Sequence, residues 1–286
     1  VRAAYAEGFR APNLPQVVEQ GISRSNTRYD PITDSSYGIT EIRGGNKNLK
    51  PEDDTNTSFG LVLMPFDNIT VTADWWNIEQ DGVVGILNSQ THLLYDSLLR
   101  SQGGRNANVI RGDDNEVIHV NNQYDNLSPR EIEGVDFSVF YDLKTDFGNF
   151  DFKVNAARLI RFEQQPDDIT AQVLAAQQAG DPSVPESIVI TGAGDLIQQN
   201  GRPEWRAYAS MRFKRDQWSV GTTANYVSDF YDTSITTSDG EPLPIDSFTT
   251  INLYGDYRFK DVGWLSKTRI RVGVRNIADE KPPIAD

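Results

Sequence analysis

Cysteine is absent from this chain of 286 residues, and so are long apolar runs. Without cysteine the chain forms no disulfides and no thiolate metal sites, which fits a bacterial envelope protein. No run of about 18 or more apolar residues occurs, so no transmembrane helix is predicted. A membrane β-barrel stays compatible with this pattern, because each barrel strand is apolar on one face only.

Positive charge and apolar residues are scarce as well. The chain has 27 Lys and Arg against 41 Asp and Glu, a net charge of −14. Nucleic acid is therefore not expected as a partner, since phosphate binding needs a basic surface. The acidic balance also disfavours a strongly anionic ligand unless that ligand meets a local cluster of arginines. The hydrophobic fraction of 38% and the mean hydropathy of −0.50 are low for a densely cored enzyme of this length.

Strict alternation of apolar and polar residues recurs along the chain, most clearly over residues 55–78. Side chains on a strand point to opposite faces with a period of two, so each half of this segment has one apolar and one polar face. Residues 64–68 (MPFDN) predict a tight turn between the halves. The segment is therefore predicted to be a long antiparallel hairpin.

The connections between such strands alternate between long and short. About nine strands of roughly ten residues are predicted, with all long connections at one end of the sheet and all short turns at the other. The long loops span about 8–54, 80–130, 162–203 and 228–246, and loops of this length are usually functional. Local elements predicted within the connections are a short helix capped by Ser89, a small hairpin around 112–115, an Ala-rich helix over 170–179 with Asp167 and Asp168 at its N-terminus, and a turn near 261–266.

Three details favour an all-β, antiparallel transmembrane β-barrel portion over a soluble β-sandwich, which also alternates. The polar face carries many charges at mid-strand, aromatic residues lie near strand ends, and the loop asymmetry is that of outer-membrane barrels. An odd strand number, with Val1 inside a strand pattern and no visible signal peptide, predicts a piece of something longer. In the hairpin, lipid is expected on the face of Phe59, Leu61, Ile69, Val71 and Trp75, and the lumen on the face of Asn56, Ser58, Thr70, Thr72 and Asp74.

Several segments resemble those of TonB-dependent outer-membrane receptors, and they occur in that family's order across nearly the whole chain. Each is short and weak by itself, whereas the ordered set is fairly specific. Asp136 departs from the pattern, because Glu is commoner at that position. The similar segments are residues 8–14 (GFRAPNL), 45–52 (GNKNLKPE), 73–78 (ADWWNI), 130–136 (REIEGVD) and 274–279 (VRNIAD).

The resemblance implies that residues 1–286 are the C-terminal portion of a barrel of about 22 strands, closed by an N-terminal plug domain. It implies an outer-membrane location in a Gram-negative bacterium, with lipid and lipopolysaccharide around the barrel. The implied activity is uptake of a scarce extracellular ligand, such as an iron–siderophore, cobalamin or a glycan fragment. The implied energy source is an inner-membrane TonB–ExbB–ExbD complex that pulls on the plug. The plug, its TonB-binding segment, the early strands and the final strand are missing from the chain.

No catalytic constellation stands out, so an enzyme is not expected, and neither a cofactor nor a metal site is predicted. His92 and His119 are interpreted as ordinary loop histidines. Residues 113–116 lack the spacing of a calcium loop and are interpreted as a solvated hairpin tip. The tripeptide at 111–113 (RGD) is attributed to chance, and residues 192–194 (GAG) lack the strand–helix context of a dinucleotide loop.

Ligand contacts are expected in the long loops. Arginine binds carboxylate or phosphate through paired hydrogen bonds, and loop tyrosines stack on sugars or aromatic siderophores. The alternative is that these residues brace the loops or contact the plug. The candidates are Arg10, Asn13, Arg43, Asn46, Tyr37, Tyr95 and Tyr231.

The sequence is also compatible with two other functions. The first is a passive porin-type channel, which would have no plug domain. The second is a soluble secreted β-protein that binds glycans, which would fractionate away from membranes.

Overall fold

The computed structural model describes residues 1–237, 241–260, 263–265 and 267–283. This part of the chain is mostly antiparallel β-strand, with a few helices between strands. In chain order the elements are β1 (Arg2–Arg10), α1 (Leu14–Val18), β2 (Ile22–Asp30), β3 (Ser35–Gly44), β4 (Glu52–Phe66), β5 (Ile69–Asp81), β6 (Val84–Ile86), α2 (Ser89–Ser101), β7 (Val109–Arg111), β8 (Val117–Asn126), β9 (Arg130–Thr145), β10 (Gly148–Gln164), α3 (Asp168–Gln178), β11 (Gly194–Asp195), β12 (Trp205–Arg215), β13 (Trp218–Val227), β14 (Phe230–Thr236), β15 (Pro242–Ile245), β16 (Phe248–Arg258), a 3-10 turn (Gly263–Leu265) and β17 (Arg269–Val274).

Nine of these strands form one antiparallel sheet, which we call the wall. Its order is β1-β4-β5-β9-β10-β12-β13-β16-β17. This order confirms the predicted set of nine long strands that follow one another along the chain. Within the described residues β1 and β17 each pair on one side only, so the wall is open, as expected for a portion of a larger barrel.

The register of the wall sorts the alternating residues onto two faces. Phe59, Trp75 and Val135 are Cα partners across β4, β5 and β9, in a row that belongs to the apolar outer face. Phe59 on this face is 53% exposed, although it is a large apolar side chain. Asp74 and Asp136 are partners in a row of the opposite, polar face. The hairpin therefore has one apolar and one polar face, as predicted, and contact of the apolar face with lipid stays a prediction.

Several strands are longer than the ten residues expected from the alternation. β9 has 16 residues and β10 has 17, and their pairing continues to the rung between Arg130 and Gln164. Near the long connections these two strands are polar and lack the apolar alternation. The sequence pattern therefore ends before the hydrogen-bonded ladder does. Pro65 lies inside β4 rather than in the turn, at a shift of register between Leu63 and Phe66. Proline is tolerated at such an irregularity, because no ladder hydrogen bond is needed there.

Short connections lie at one end of the wall. Residues 67–68, 146–147 and 216–217 join successive strands, as the alternation of connection lengths predicts. The connection between β16 and β17 is longer and contains the 3-10 turn. Of the turn predicted near 261–266, residues 261, 262 and 266 lie outside the described residues.

The long connections at the other end are packed structures rather than extended loops. β2, β3, β8 and β6 form a second sheet, to which β7 is added through β8. The parallel pairing of β3 with β8 joins the first long connection to the second. We call this sheet together with α2 and α3 the loop subdomain. Its buried apolar core consists of Ile39, Leu93, Val109, Val117 and Val120.

A second buried cluster joins the two longer helices of the loop subdomain. Leu94 and Leu98 of α2 pack against Val173 of α3 and against Val184. Asn88, rather than the predicted Ser89, caps α2, because its side chain accepts a hydrogen bond from the backbone N–H of Gln90. The cap is the residue just before the first helical residue, and sequence patterns locate that position only to within one or two residues.

The other local predictions in the loops are confirmed. The Asp167 carboxylate accepts hydrogen bonds from the first backbone N–H groups of α3. β7 and β8 form the small hairpin, with Asn115 in the left-handed region at a φ of 65°. Along the described residues no helix is both long and apolar enough to cross a membrane.

Candidate ligand-binding site

A cavity of about 300 Å³ lies where the loop subdomain meets the C-terminal end of β10. We call it the loop cavity. β2 and β3 contribute Arg28, Glu41 and Arg43, and the N-cap of α3 contributes Asp167. The start of α2 contributes Ser89, and β10 contributes Gln164. Among its lining residues are Arg28, Glu41, Arg43, Ser89, Gln164 and Asp167.

Glu41 is a buried carboxylate that organises one side of the loop cavity. Its side chain is 1% exposed, and it accepts a hydrogen bond of 2.7 Å from Nε of Arg43. Nδ2 of Asn122 donates a second bond of 3.2 Å. The hydrogen bond to Glu41 raises the pKa of Arg43, so the charge of Arg43 is both kept and neutralised locally.

Arg28 supplies the second cation of the loop cavity. Its Nε donates to Oγ of Ser89 at 3.0 Å, and its Nη1 donates to the backbone oxygen of Thr27 at 3.1 Å. Burial lowers the pKa of Arg28, yet the group stays protonated because arginine titrates far above neutrality. Among the described residues Arg28 forms no ion pair with a carboxylate. Its guanidinium is therefore able to hold an anionic oxygen of a ligand.

Three of the predicted ligand residues brace the base of the first long connection instead of lining the cavity. Arg10 forms a bidentate ion pair with Glu52, with Nε 2.6 Å from Oε2. Asn13 is the N-cap of α1, and its backbone N–H donates to Oε1 of Gln16 at 2.7 Å. Asn46 donates through Nδ2 to the backbone oxygen of Tyr124 at 3.0 Å.

The segments 8–14 and 45–52, which carry part of the family resemblance, meet at the base of the first long connection. Arg10 of the first segment is the strand partner of Glu52 of the second. The backbone N–H groups of Gly45 and Asn46 donate to the oxygens of Glu19 and Gln16, at 2.9 Å and 2.8 Å, just after the first segment. A Cβ at Gly45 would lie 2.7 Å from the backbone of Val17. Only glycine permits this close approach, so the motif has a packing role.

The predicted tyrosines are used mainly for packing between loops. The hydroxyl of Tyr37 donates to Oδ2 of Asp30 at 2.7 Å and accepts from the backbone N–H of Val117. Tyr95 packs against the cluster between α2 and α3. Tyr231 is 42% exposed, and its backbone hydrogen bonds to Gln198 and Asn200 join the third and fourth connections.

Arg43 is thus the one predicted ligand residue that lines the loop cavity, whereas Arg28 lines it without being predicted from the sequence. Arg24 and Arg28 lie four residues apart in a stretch whose polar composition predicts an irregular loop. Had β2 been recognised, their shared strand face would have been the signal. Even then, the partial burial of Arg28 follows from its contact with α2, whereas Arg24 stays exposed.

The remaining polar clusters of the loops are structural. Arg111 is 4% exposed in its side chain and pairs with Asp30 and Asp96, which are both fully buried. Burial raises the pKa of Asp30, but hydrogen bonds from Arg111 and Tyr37 outweigh this effect and hold the pKa below its ordinary value. Because Arg111 is buried, the tripeptide at 111–113 is not displayed as an adhesion motif.

His92 is a buried structural histidine. It is 3% exposed and contacts the side-chain amides of Asn106 and Asn122 at 3.3 Å and 3.4 Å. Burial lowers its pKa, so the ring is neutral at pH 7. In the part of the chain that the structure describes, no group of three or more His, Cys, Asp or Glu residues is placed to hold a metal ion.

The open wall, its two unlike faces, its short turns at one end and its packed connections at the other define a portion of a transmembrane β-barrel. The family model described as "TonB dependent receptor-like, beta-barrel" matches residues 1–277, and the chain belongs to this family. The family consists of receptors and transporters rather than enzymes, and its members are Gram-negative outer-membrane proteins. No curated protein matches the chain.

Solved structures of siderophore receptors have a similar fold. A mutant of the ferric enterobactin receptor of Pseudomonas aeruginosa matches at 13% identity and a TM-score of 0.59, over 97% of this chain and 32% of that one. The siderophore receptor PirA of Acinetobacter baumannii matches at 17% identity and a TM-score of 0.59, over 98% of this chain and 37% of that one. The chain therefore spans about a third of the length of these structures.

Proposed function

We propose that this chain is the C-terminal portion of an outer-membrane receptor that imports a scarce ligand with energy from TonB. An iron–siderophore is the ligand we favour over cobalamin or a glycan fragment. The partners in this proposal are an N-terminal plug domain, the TonB–ExbB–ExbD complex acting through the plug, and the surrounding lipid and lipopolysaccharide. Membership of the receptor family supports the transport class.

The loop cavity is the observation that carries the choice of ligand. Arg28 and Arg43 lie in one cavity beneath packed connections, and Arg28 forms no ion pair among the described residues. Ferric complexes of catecholate and carboxylate siderophores carry negative charge on planar oxygen donors, which guanidinium groups bind well. Glu41 neutralises Arg43, so Arg28 is the cation of the loop cavity that is left to bind an anion. The similar structures are siderophore receptors, which supports the same choice.

Uptake of radiolabelled iron tests this proposal. Cells that express the full-length gene product are given ferric catecholate or carboxylate siderophores under iron starvation, in a strain with TonB and in a strain without it. We expect uptake that needs both the receptor and TonB. Equal uptake in the two strains would sink the energised mechanism, and the absence of uptake with every iron complex would overturn the ligand.

The same cells separate the two alternative functions. A passive channel would show steady ion conductance in planar bilayers and solute flux without TonB. A soluble glycan-binding protein would be recovered outside the membrane fraction. Either result would replace the proposed function.

A further inference from the structure

An apolar groove of about 630 Å³ runs over β13, β16 and β17 on the outer face of the wall. We call it the outer groove. Its floor is Gly255, which lies between its Cα partners Val220 and Val272. The next row on the same face has Leu253 beside Val274. Val220 is 54% exposed and Val272 is 71% exposed, so the sides of the outer groove face outward.

No packing contact in the described part of the chain requires a glycine at the floor of the outer groove. A Cβ built at Gly255 would meet no atom closer than 3.9 Å, and the backbone there is not left-handed. Gly134 and Gly221 in the same wall differ, because the rings of Trp76 and Tyr254 fill the space that their side chains would take. Gly255 therefore leaves a gap about one side chain wide, which no described side chain fills.

An aromatic rim with a cation closes the outer groove toward the short-turn end of the wall. The rings of Trp218 and Tyr257 are 4.6 Å apart, and those of Tyr257 and Phe259 are 4.9 Å apart. Such aromatic residues mark the boundary between hydrocarbon and headgroups. Arg215 is the Cα partner of Trp218, so it lies in the same row on the outer face. It is exposed and forms no ion pair among the described residues.

We propose that the outer groove binds one acyl chain of an anionic phospholipid, whose phosphate pairs with Arg215. The site rests on the outer-membrane location proposed above. A single hydrocarbon chain matches an apolar gap one side chain wide. Arg215 lies two strands across and two residues along from Gly255, about 12 Å at the usual strand geometry, which is within reach of a headgroup attached to that chain. The short-turn end faces the periplasmic leaflet, where the glycerophospholipids are.

Native mass spectrometry of the full-length gene product tests the site. The protein is extracted from outer membranes into mild detergent, and bound lipids are counted as detergent is increased. We expect the wild type to retain one phosphatidylglycerol per protein after other lipids are lost. Gly255→Leu, which fills the floor, should lose this lipid. Ala224→Leu is the matched control, since it enlarges a small outward residue on β13 between Ala209 and Ile251, and it should retain the lipid.

Arg215→Gln separates the headgroup from the chain. It should lose the preference for phosphatidylglycerol over phosphatidylethanolamine by about tenfold, without loss of the acyl chain. The site would be overturned if the wild type retained no lipid, or if Gly255→Leu and Ala224→Leu lost lipid equally. A dimer without bound lipid would overturn it as well.

A fluorescence measurement on the unaltered groove covers the case in which Gly255→Leu does not fold. The protein is placed in phosphatidylcholine vesicles that contain a small fraction of brominated phosphatidylglycerol. Quenching of the tryptophan fluorescence by bromine should saturate at a low fraction of brominated lipid. Trp218→Phe should remove this saturating component, and a purely linear response in the wild type would contradict the site. Recovery of the protein in the soluble fraction would refute the outer-membrane location, whereas a membrane protein that retains no lipid would refute the groove alone.

Discussion

Arg111 of β7 donates two hydrogen bonds to Asp30 of β2, at 2.6 Å and 2.8 Å. A residue of the second long connection is thereby clamped to a residue of the first. The same guanidinium donates through Nε to Asp96 of α2 at 2.8 Å. One cation thus compensates two buried carboxylates inside the loop subdomain, with Arg100 as a further partner of Asp96.

Arg111→Met is expected to destabilise the loop subdomain strongly. It leaves the carboxylates of Asp30 and Asp96 buried with fewer partners, and breaking a buried pair in this way costs about 3–5 kcal/mol. Amide hydrogen exchange of β2 and β7, followed by mass spectrometry in the full-length protein, measures the loss of protection. Arg24→Met, an exposed arginine on β2, is the matched control and should leave exchange unchanged. Equal protection in both variants would contradict the structural role of Arg111.

His92 predicts that the loop subdomain becomes less stable at mildly acidic pH. Burial lowers its pKa below the ordinary value of 6.5, so the unfolded segment binds the proton more tightly than the folded one. The free energy of unfolding therefore falls as the pH drops through about 6.5 toward the folded pKa. Hydrogen exchange or limited proteolysis between pH 7.5 and 5 should show this loss. His92→Gln should flatten the dependence and His119→Gln should keep it, and the reverse ranking would refute the assignment.

Gly134→Ala should destabilise the wall by about 1–3 kcal/mol, because it overpacks a filled site. Its Cβ would collide with the ring of Trp76 and lie 2.9 Å from the backbone oxygen of Arg158. Urea unfolding in lipid vesicles measures the difference. Gly255→Ala is the control, since its Cβ meets nothing closer than 3.9 Å. Similar unfolding midpoints for the two variants would show that the contact with Trp76 is dispensable.

A pair of arginine substitutions in β5 tests which face meets lipid. Val71→Arg places a charge on the apolar face and should cost roughly 2–4 kcal/mol if it lies near the bilayer midplane. Thr72→Arg places the charge on the polar face, in the row of Ser138, and should be tolerated. Folding yield into vesicles and urea unfolding report both variants. Equal tolerance at the two positions would refute the assignment of the faces, and better tolerance of Val71→Arg would reverse it.

Arg28→Gln should weaken ligand binding without unfolding the loops. Losing one charge-assisted hydrogen bond of about 1.5–3 kcal/mol corresponds to a fall in affinity of roughly 10- to 100-fold. The Kd of whole-cell binding for a ferric siderophore measures it, with surface expression checked in parallel. Arg24→Gln on the same strand, outside the loop cavity, should bind as the wild type does. An unchanged Kd for Arg28→Gln would remove the loop cavity from the binding site.

The wall is readable from sequence because its signal is local. A strand that is apolar on one face must alternate with a period of two, whichever strand lies beside it. The alternation around Phe59 and Trp75 therefore predicted both the hairpin and its faces before any partner was known. The capping of α3 by Asp167 is local in the same sense, since donor and acceptor lie within three residues.

The loop subdomain lacks such a local signal. β2 and β3 carry polar or charged residues on both faces, with few apolar residues such as Ile39. The parallel partner of β3 is β8, which lies far along the chain. Arg10 and Asn46 belong to segments that resemble the family. Their partners are Glu52 and Tyr124, and sequence patterns do not reveal which distant residues lie next to each other.

Arg28 makes the same point for the candidate site. Its contact with Ser89 spans 61 residues, and it becomes partly buried only when α2 packs beside β2. Faces of the wall were thus set by the periodicity of neighbouring residues, whereas the site was set by contacts between distant segments. Burial and ion pairing depend on which surfaces meet, and only the packed chain brings those surfaces together.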